Sequence, residues 1–232
     1  RTGALSSLLI VALIIMSVGV IFFIIFMERA QRRLIVQYPK RQQGSKMSGG
    51  ESSHLPLKLN TAGVIPPIFA SSILLMPITI IGFSAGSGPE WLSTVAALLG
   101  RGQPLYLAIY VSMIVFFAFF YTAVVFNPED TADNLKKHGG FIPGIRPGKN
   151  TSQYLDKVLT RLTVVGAAYL AIVCLLPEIL ISRFSVPFYF GGTSLLIVVT
   201  VTMDTVSQVQ SHLLAHQYEG LIKKSKLKGR RG

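Results

Sequence analysis

The chain has 232 residues, half of them hydrophobic and only 14% charged, a balance too apolar for an ordinary soluble domain of this length. Its few charged residues nevertheless sum to a formal +12, which suits anionic lipid or a polyanionic partner. The single cysteine, Cys174, excludes an intrachain disulfide and reads as a small buried or lipid-facing hydrophobe.

A helix needs about 20 apolar residues to cross a hydrocarbon core of about 30 Å. Five segments meet that requirement, at about 5–27, 61–83, 105–126, 162–181 and 191–209. The sequence therefore predicts an all-α membrane protein with five transmembrane helices in a single membrane domain spanning residues 1–232. The first segment is about twice the length of a signal-peptide core and lacks a small-residue cleavage pattern, so it is expected to persist in the mature protein. The second contains Gly63, Pro66, Pro67 and Pro77, which remove backbone donors or weaken a helix. Such breaks in lipid require protein or water alongside, so this span is expected to face other helices or a cavity, as a packed kink or as a hinge. Asp204, near the far end of the fifth segment, reads as an interfacial or paired group before a proton relay.

The basic residues alternate between connections. Segments 28–60, 127–161 and 210–232 hold nineteen of them, and the other three are Arg1, Arg101 and Arg183. By the positive-inside rule the three basic segments are cytoplasmic loops and a cytoplasmic tail, and the amino end lies outside. An outside start without a signal sequence, at Arg1 instead of a methionine, predicts further spans upstream.

The first basic loop interleaves Arg29, Arg32, Arg33, Lys40 and Arg41 with Leu34, Ile35, Val36 and Tyr38. Arginine forks grip phosphate oxygens in pairs, so the stretch fits a docking surface; fixing topology against lipid headgroups is the other reading. Its length and apolar residues suit a strand or hairpin with a shaped tip. In the second loop, Asn127-Pro128 opens a short helix carrying Glu129, Asp130, Asp133, Lys136 and Lys137. Gly139 to Gly148 then forms a glycine and proline turn that presents Arg146, either as a contact point or incidentally.

No GxxxxGK, HExxH or paired-cysteine motif is present. His212 and His216 lie four apart without a third ligand and read as surface histidines. Neither catalysis nor a metal or other cofactor is expected.

The runs ERAQRRLIVQYPKRQQG, HLPLKLNTAGVIPPIFASS, FYTAVVFNPEDTADNLKKHGGFIPGIRPG and VPFYFGGTSLLIVV closely resemble the carboxy-terminal half of the bacterial SecY family of protein-conducting channels. The likeness covers nearly the whole chain in order and spacing. It implies the last five of ten helices, the second of two inverted repeats that clamp around a pore, in the bacterial plasma membrane. It implies an apolar pore ring to which Ile68 and Ile197 contribute, and a lateral gate with Asn60, Ser71, Ser72 and Met76. It further implies docking of the ribosome, or of the SecA motor ATPase, through Arg29, Arg32, Arg33, Lys40, Arg41, Lys136, Lys137 and Arg146. The expected partners also include the N-terminal half of SecY, the small subunits SecE and SecG, signal peptides, nascent chains and anionic lipids. An isoleucine collar can seal by dewetting yet deform around a passing chain. The plug and the opposite face of the gate belong to the other half in that family, so this chain forms only part of a pore.

Two other classes compete. Half of an inverted-repeat secondary transporter also has broken helices, but transporters usually place ionisable groups at the midplane, which is apolar here. A membrane enzyme would need a catalytic constellation that the sequence lacks.

Overall fold

The computed structural model describes residues 6–40, 42–43, 46–47, 50, 52–84, 88–100, 102–184 and 192–228. Helix α1 (Ser7–Arg29) leads into β1 (Gln31–Gln37), β2 (Gln42–Gln43), β3 (Lys46–Met47) and β4 (Ser52–Lys58). Helices α2 (Ile65–Ser84), α3 (Glu90–Leu98), α4 (Pro104–Val125), α5 (Pro128–Lys137), α6 (Lys149–Phe184) and α7 (Gly192–Lys228) follow. Among the described residues, α1, α2, the run Pro104–Lys137 that contains α4, and α6 are long and apolar enough to cross a membrane. The expected fifth span is helical from Gly192, but α7 is not one of these four. Its threonines, Asp204 and Gln208 dilute the apolar run.

Helix α4 sits between α2 and α6. Its buried residues Tyr106, Tyr110, Ile114, Ala118 and Thr122 recur every fourth position, the row that forms one ridge along a helix. Tyr106, Tyr110 and Ile114 join Ala70 and Leu74 of α2, Tyr169, Leu170, Val173 and Cys174 of α6, and Leu196 and Val199 of α7 in the main core. One turn further along, Ala118 meets Ala62 and Ala167, where small side chains let backbones approach. Helix α1 buries only Ile24.

Three boundaries differ from the sequence reading. The second span starts later, at Ile65, because residues 61–64 form a turn in which Gly63 has φ 65°. Pro66 and Pro67 then fall in the first helical turn, where their missing N–H groups have no intrahelical acceptor to lose, so only Pro77 interrupts the helix interior. The fourth span is extended at its front by residues expected in a loop. Thr151, Leu155, Val158 and Leu159 are buried, and Leu155 and Val158 pack against Leu34, Val36 and Leu57 of the strands. With 36 residues, α6 is about 54 Å long, well beyond a hydrocarbon core of about 30 Å. Likewise α7 continues to Lys228 through what was read as a tail, and every side chain described from Asp204 onward is exposed.

Candidate functional site: a basic platform and an open helix face

Strands β1 and β4 form the expected hairpin, antiparallel with Leu34 opposite Leu55 and Arg32 opposite Leu57. Alternation along β1 turns Leu34 and Val36 into a core with Leu57, Ile142, Leu155, Val158 and Leu162. Arg33 and Ile35 therefore occupy the opposite face, and Ile35 is 51% exposed. The predicted short helix is α5. Asn127 caps it, its Oδ1 accepting from the Glu129 N–H at 3.0 Å. Lys136 and Lys137 fall in its last turn, where cations complement the helix dipole.

Backbone pairing joins the two loops. The Gln37 N–H donates to the Phe141 carbonyl and the Phe141 N–H donates to the Gln37 carbonyl, both at 2.9 Å. Glycine lets the side chains pack closely next to this bridge, since a Cβ on Gly140 would lie 2.9 Å from Tyr38 Cε1 and 3.2 Å from Val36 Cγ1. Downstream, buried Thr151 donates its Oγ1 proton to the Arg146 carbonyl at 2.9 Å, which pins the backbone that presents Arg146. Arg29, Arg32, Arg33, Lys40, Lys136, Lys137 and Arg146 are all exposed. Among the described residues none of them forms an ion pair within the chain. Arg41 lies outside the described residues.

Asn60 does not lie on α2 but in the connection leading to it, and it is 5% exposed. Its Nδ2 donates to Glu28 Oε1 at 2.9 Å and to the Gly63 carbonyl at 3.2 Å. Tyr169 of α6 donates to the same Glu28 oxygen at 3.3 Å. Here α6 approaches so closely that a Cβ on Gly166 would stand 2.6 Å from the Leu59 carbonyl oxygen.

Further along α2, Ser71 is half-buried, and its Oγ lies 3.2 Å from the Tyr110 hydroxyl. That hydroxyl lies 3.3 Å from Thr193 Oγ1 of α7. Ser72 is exposed and donates to the Ile68 carbonyl at 2.9 Å. Met76, Ile68 and Ile197 are exposed, whereas Leu196, next to Ile197, is completely buried. The expected gate residues thus divide: Asn60 and Ser71 bond inside the bundle, and Ser72 and Met76 face outward.

Sequence reasoning missed Glu28, Tyr169, Tyr110 and Thr193 as partners. A signal existed, since a tyrosine hydroxyl within an apolar span must find a partner when buried. His212 and His216 have ring centroids 6.4 Å apart on the exposed part of α7, and no group of three metal-binding side chains occurs among the described residues.

The sequence matches the SecY family model over residues 1–206. Protein translocase subunit SecY of Rickettsia conorii is 57% identical over 228 residues, covering 98% of this chain and 52% of that protein. The Escherichia coli subunit is 56% identical over 230 residues, covering 99% and 52%. The chain spans about half the length of the curated relatives it matches. A solved structure described as "The structure of a protein conducting channel" superposes with a TM-score of 0.59 at 17% identity, over 85% of this chain and 48% of that one. Another, in which the plug domain of SecY stabilises the closed channel, gives 0.59 at 18%, over 85% and 49%. At such identities the superpositions establish the fold. The relatives are translocase subunits, and half of a secondary transporter finds no support among them.

Proposed function

The chain belongs to the SecY family, and from that premise we propose that it supplies one wall of a channel that passes unfolded polypeptides across the bacterial plasma membrane. The same wall releases transmembrane segments sideways into lipid. The observation that carries this reading is the exposure of Ile68 on α2 and Ile197 on α7, each directly following a fully buried residue, Pro67 and Leu196. Isoleucines turned out of the core of half a clamp are available to a collar completed by the N-terminal half.

In this reading the chain crosses the membrane five times, with α7 as the fifth span, its first residues outside and its basic segments in the cytoplasm. SecE and SecG accompany it, and anionic headgroups lie against the basic end. The platform docks the ribosome or SecA through Arg29, Arg32, Arg33, Lys40, Arg41, Lys136, Lys137 and Arg146. Support comes from the Gln37–Phe141 bridge, which makes two loops one surface, and from cations that no internal carboxylate neutralises among the described residues. Helix α2 lines the gate, with Ser72 and Met76 toward the seam. Asn60 and Ser71 act by holding α2 to its own half. A signal peptide or nascent chain opens the seam by shifting a two-state equilibrium, and docking favours the same state.

The test is a crosslink from position 72 or 76 on α2 to the N-terminal half of the full-length subunit. Export of an unfolded substrate into vesicles should stop on crosslinking and return on cleavage of the link. Undiminished export through the locked seam rejects the gate assignment.

A further inference from the structure

We propose that Tyr110 is a positioning residue for the pore ring: its hydroxyl ties the helix that carries Ile68 to the helix that carries Ile197. The inference rests on the pore-ring reading above and assigns the element that holds that ring closed.

The tie spans three helices. Tyr110 projects from α4, is 4% exposed, and stacks on Tyr106 with ring centroids 6.1 Å apart. Its hydroxyl stands between Ser71 Oγ of α2 at 3.2 Å and Thr193 Oγ1 of α7 at 3.3 Å. One phenol can donate one hydrogen bond and accept others, so it serves both hydroxyls at once. Cys174 of α6 is buried in the same core.

Spacing links the junction to the ring. Ser71 follows Ile68 by three residues and Thr193 precedes Ile197 by four, so each hydroxyl lies one helical turn from a ring side chain on a neighbouring position of its helix. A shift of α2 relative to α7 that separates the two isoleucines also stretches at least one of the two hydrogen bonds. In an apolar interior each such bond is weak, so it can hold a resting arrangement and still be exchanged on opening. The neighbouring aromatic contact does not duplicate this role: Phe69 of α2 stacks on Phe117 of α4 at 5.6 Å and does not reach α7.

Tyr110→Phe keeps the ring stack and removes only the hydroxyl. It should be compared, in the full-length subunit reconstituted in vesicles with its partners, with Ser71→Ala, Thr193→Val and the pair Ile68→Gly/Ile197→Gly. The readout is ion leak per inserted resting channel. The expected result is leak raised by about tenfold or more in Tyr110→Phe, which removes both hydrogen bonds, and by about three- to tenfold in Ser71→Ala or Thr193→Val, which each remove one. Ser71→Ala added to Tyr110→Phe should add little, because both remove the same contact. Leak in the glycine pair with none in Tyr110→Phe, Ser71→Ala or Thr193→Val overturns the positioning role and leaves the ring intact, even where melting temperature falls, since a merely structural hydroxyl changes stability alone. Absence of leak in the glycine pair overturns the ring reading and the tie together.

Discussion

Asn60 donates its side-chain amide to Glu28 Oε1 at 2.9 Å across 32 residues of sequence, which joins the end of α1 to the turn that starts α2. Tyr169 brings α6 to the same oxygen. Three elements therefore converge on one carboxylate at the base of the bundle, on the side that bears the basic platform. The arrangement anchors the start of α2 while leaving the rest of that helix to pack on α4.

Replacing Asn60 by Ala should leave Glu28 short of a partner and lower the stability of the subunit by about 1 kcal/mol. Glu28→Gln keeps an acceptor oxygen for both donors, so its effect should be smaller. Thermal unfolding of the two variants in detergent checks the order. Equal melting temperatures for Asn60→Ala and the parent would remove the anchor.

A methyl group at Gly166 would meet a backbone oxygen at 2.6 Å, and backbone cannot rotate away as a side chain can. Gly166→Ala should therefore push α6 from residues 59–60 and cost about 1–3 kcal/mol. Gly19, whose Cβ would meet nothing within 4 Å, provides the control, and its alanine variant should unfold at the parent temperature or above. The comparison is a pair of melting curves.

Gly140→Val should strain the contact with Tyr38 and Val36 and loosen the Gln37–Phe141 bridge. Amide exchange at residues 37 and 141 should then accelerate together while the helices of the core keep their protection. Exchange that quickens at only one of the two positions would show that the loops are not coupled through this pair.

Charge reversal of Arg32, Arg33 and Arg146 tests the platform. If each grips a phosphate, the logarithmic salt dependence of ribosome association should flatten by about one for each lost contact. The triple variant should also bind more weakly at every salt concentration. Correct insertion with an unchanged slope and affinity would reduce these arginines to topology signals.

Much of the fold was legible because it rests on local quantities. Apolar length set the four helices that meet the spanning requirement, and Asn127-Pro128 marked the start of α5. The interleaved arginines and aliphatics at 29–38 signalled a strand with two faces. Less legible were the ends of α6 and α7. Residues 149–161 look like a polar connection until Leu155 and Val158 find the hairpin, and that burial depends on Leu34 and Val36 far away in sequence. The site divided in the same way. Exposure of the platform cations followed from charge, whereas the inward bonding of Asn60 and Ser71 depends on Glu28 and Tyr110, which only packing brings near.

Hydropathy and charge are properties of single residues summed along a chain, so the sequence by itself determined that this is a membrane protein whose basic residues gather in three segments. It also carried, through its extended motifs, the family to which the chain belongs. Tertiary structure decided which hydroxyls and amides meet, that the two loops form one surface, and that Ile197 stands outside the core while Leu196 is enclosed. Those outcomes depend on distances between elements far apart in sequence, which are short where small residues such as Ala62, Ala118 and Gly166 allow close approach.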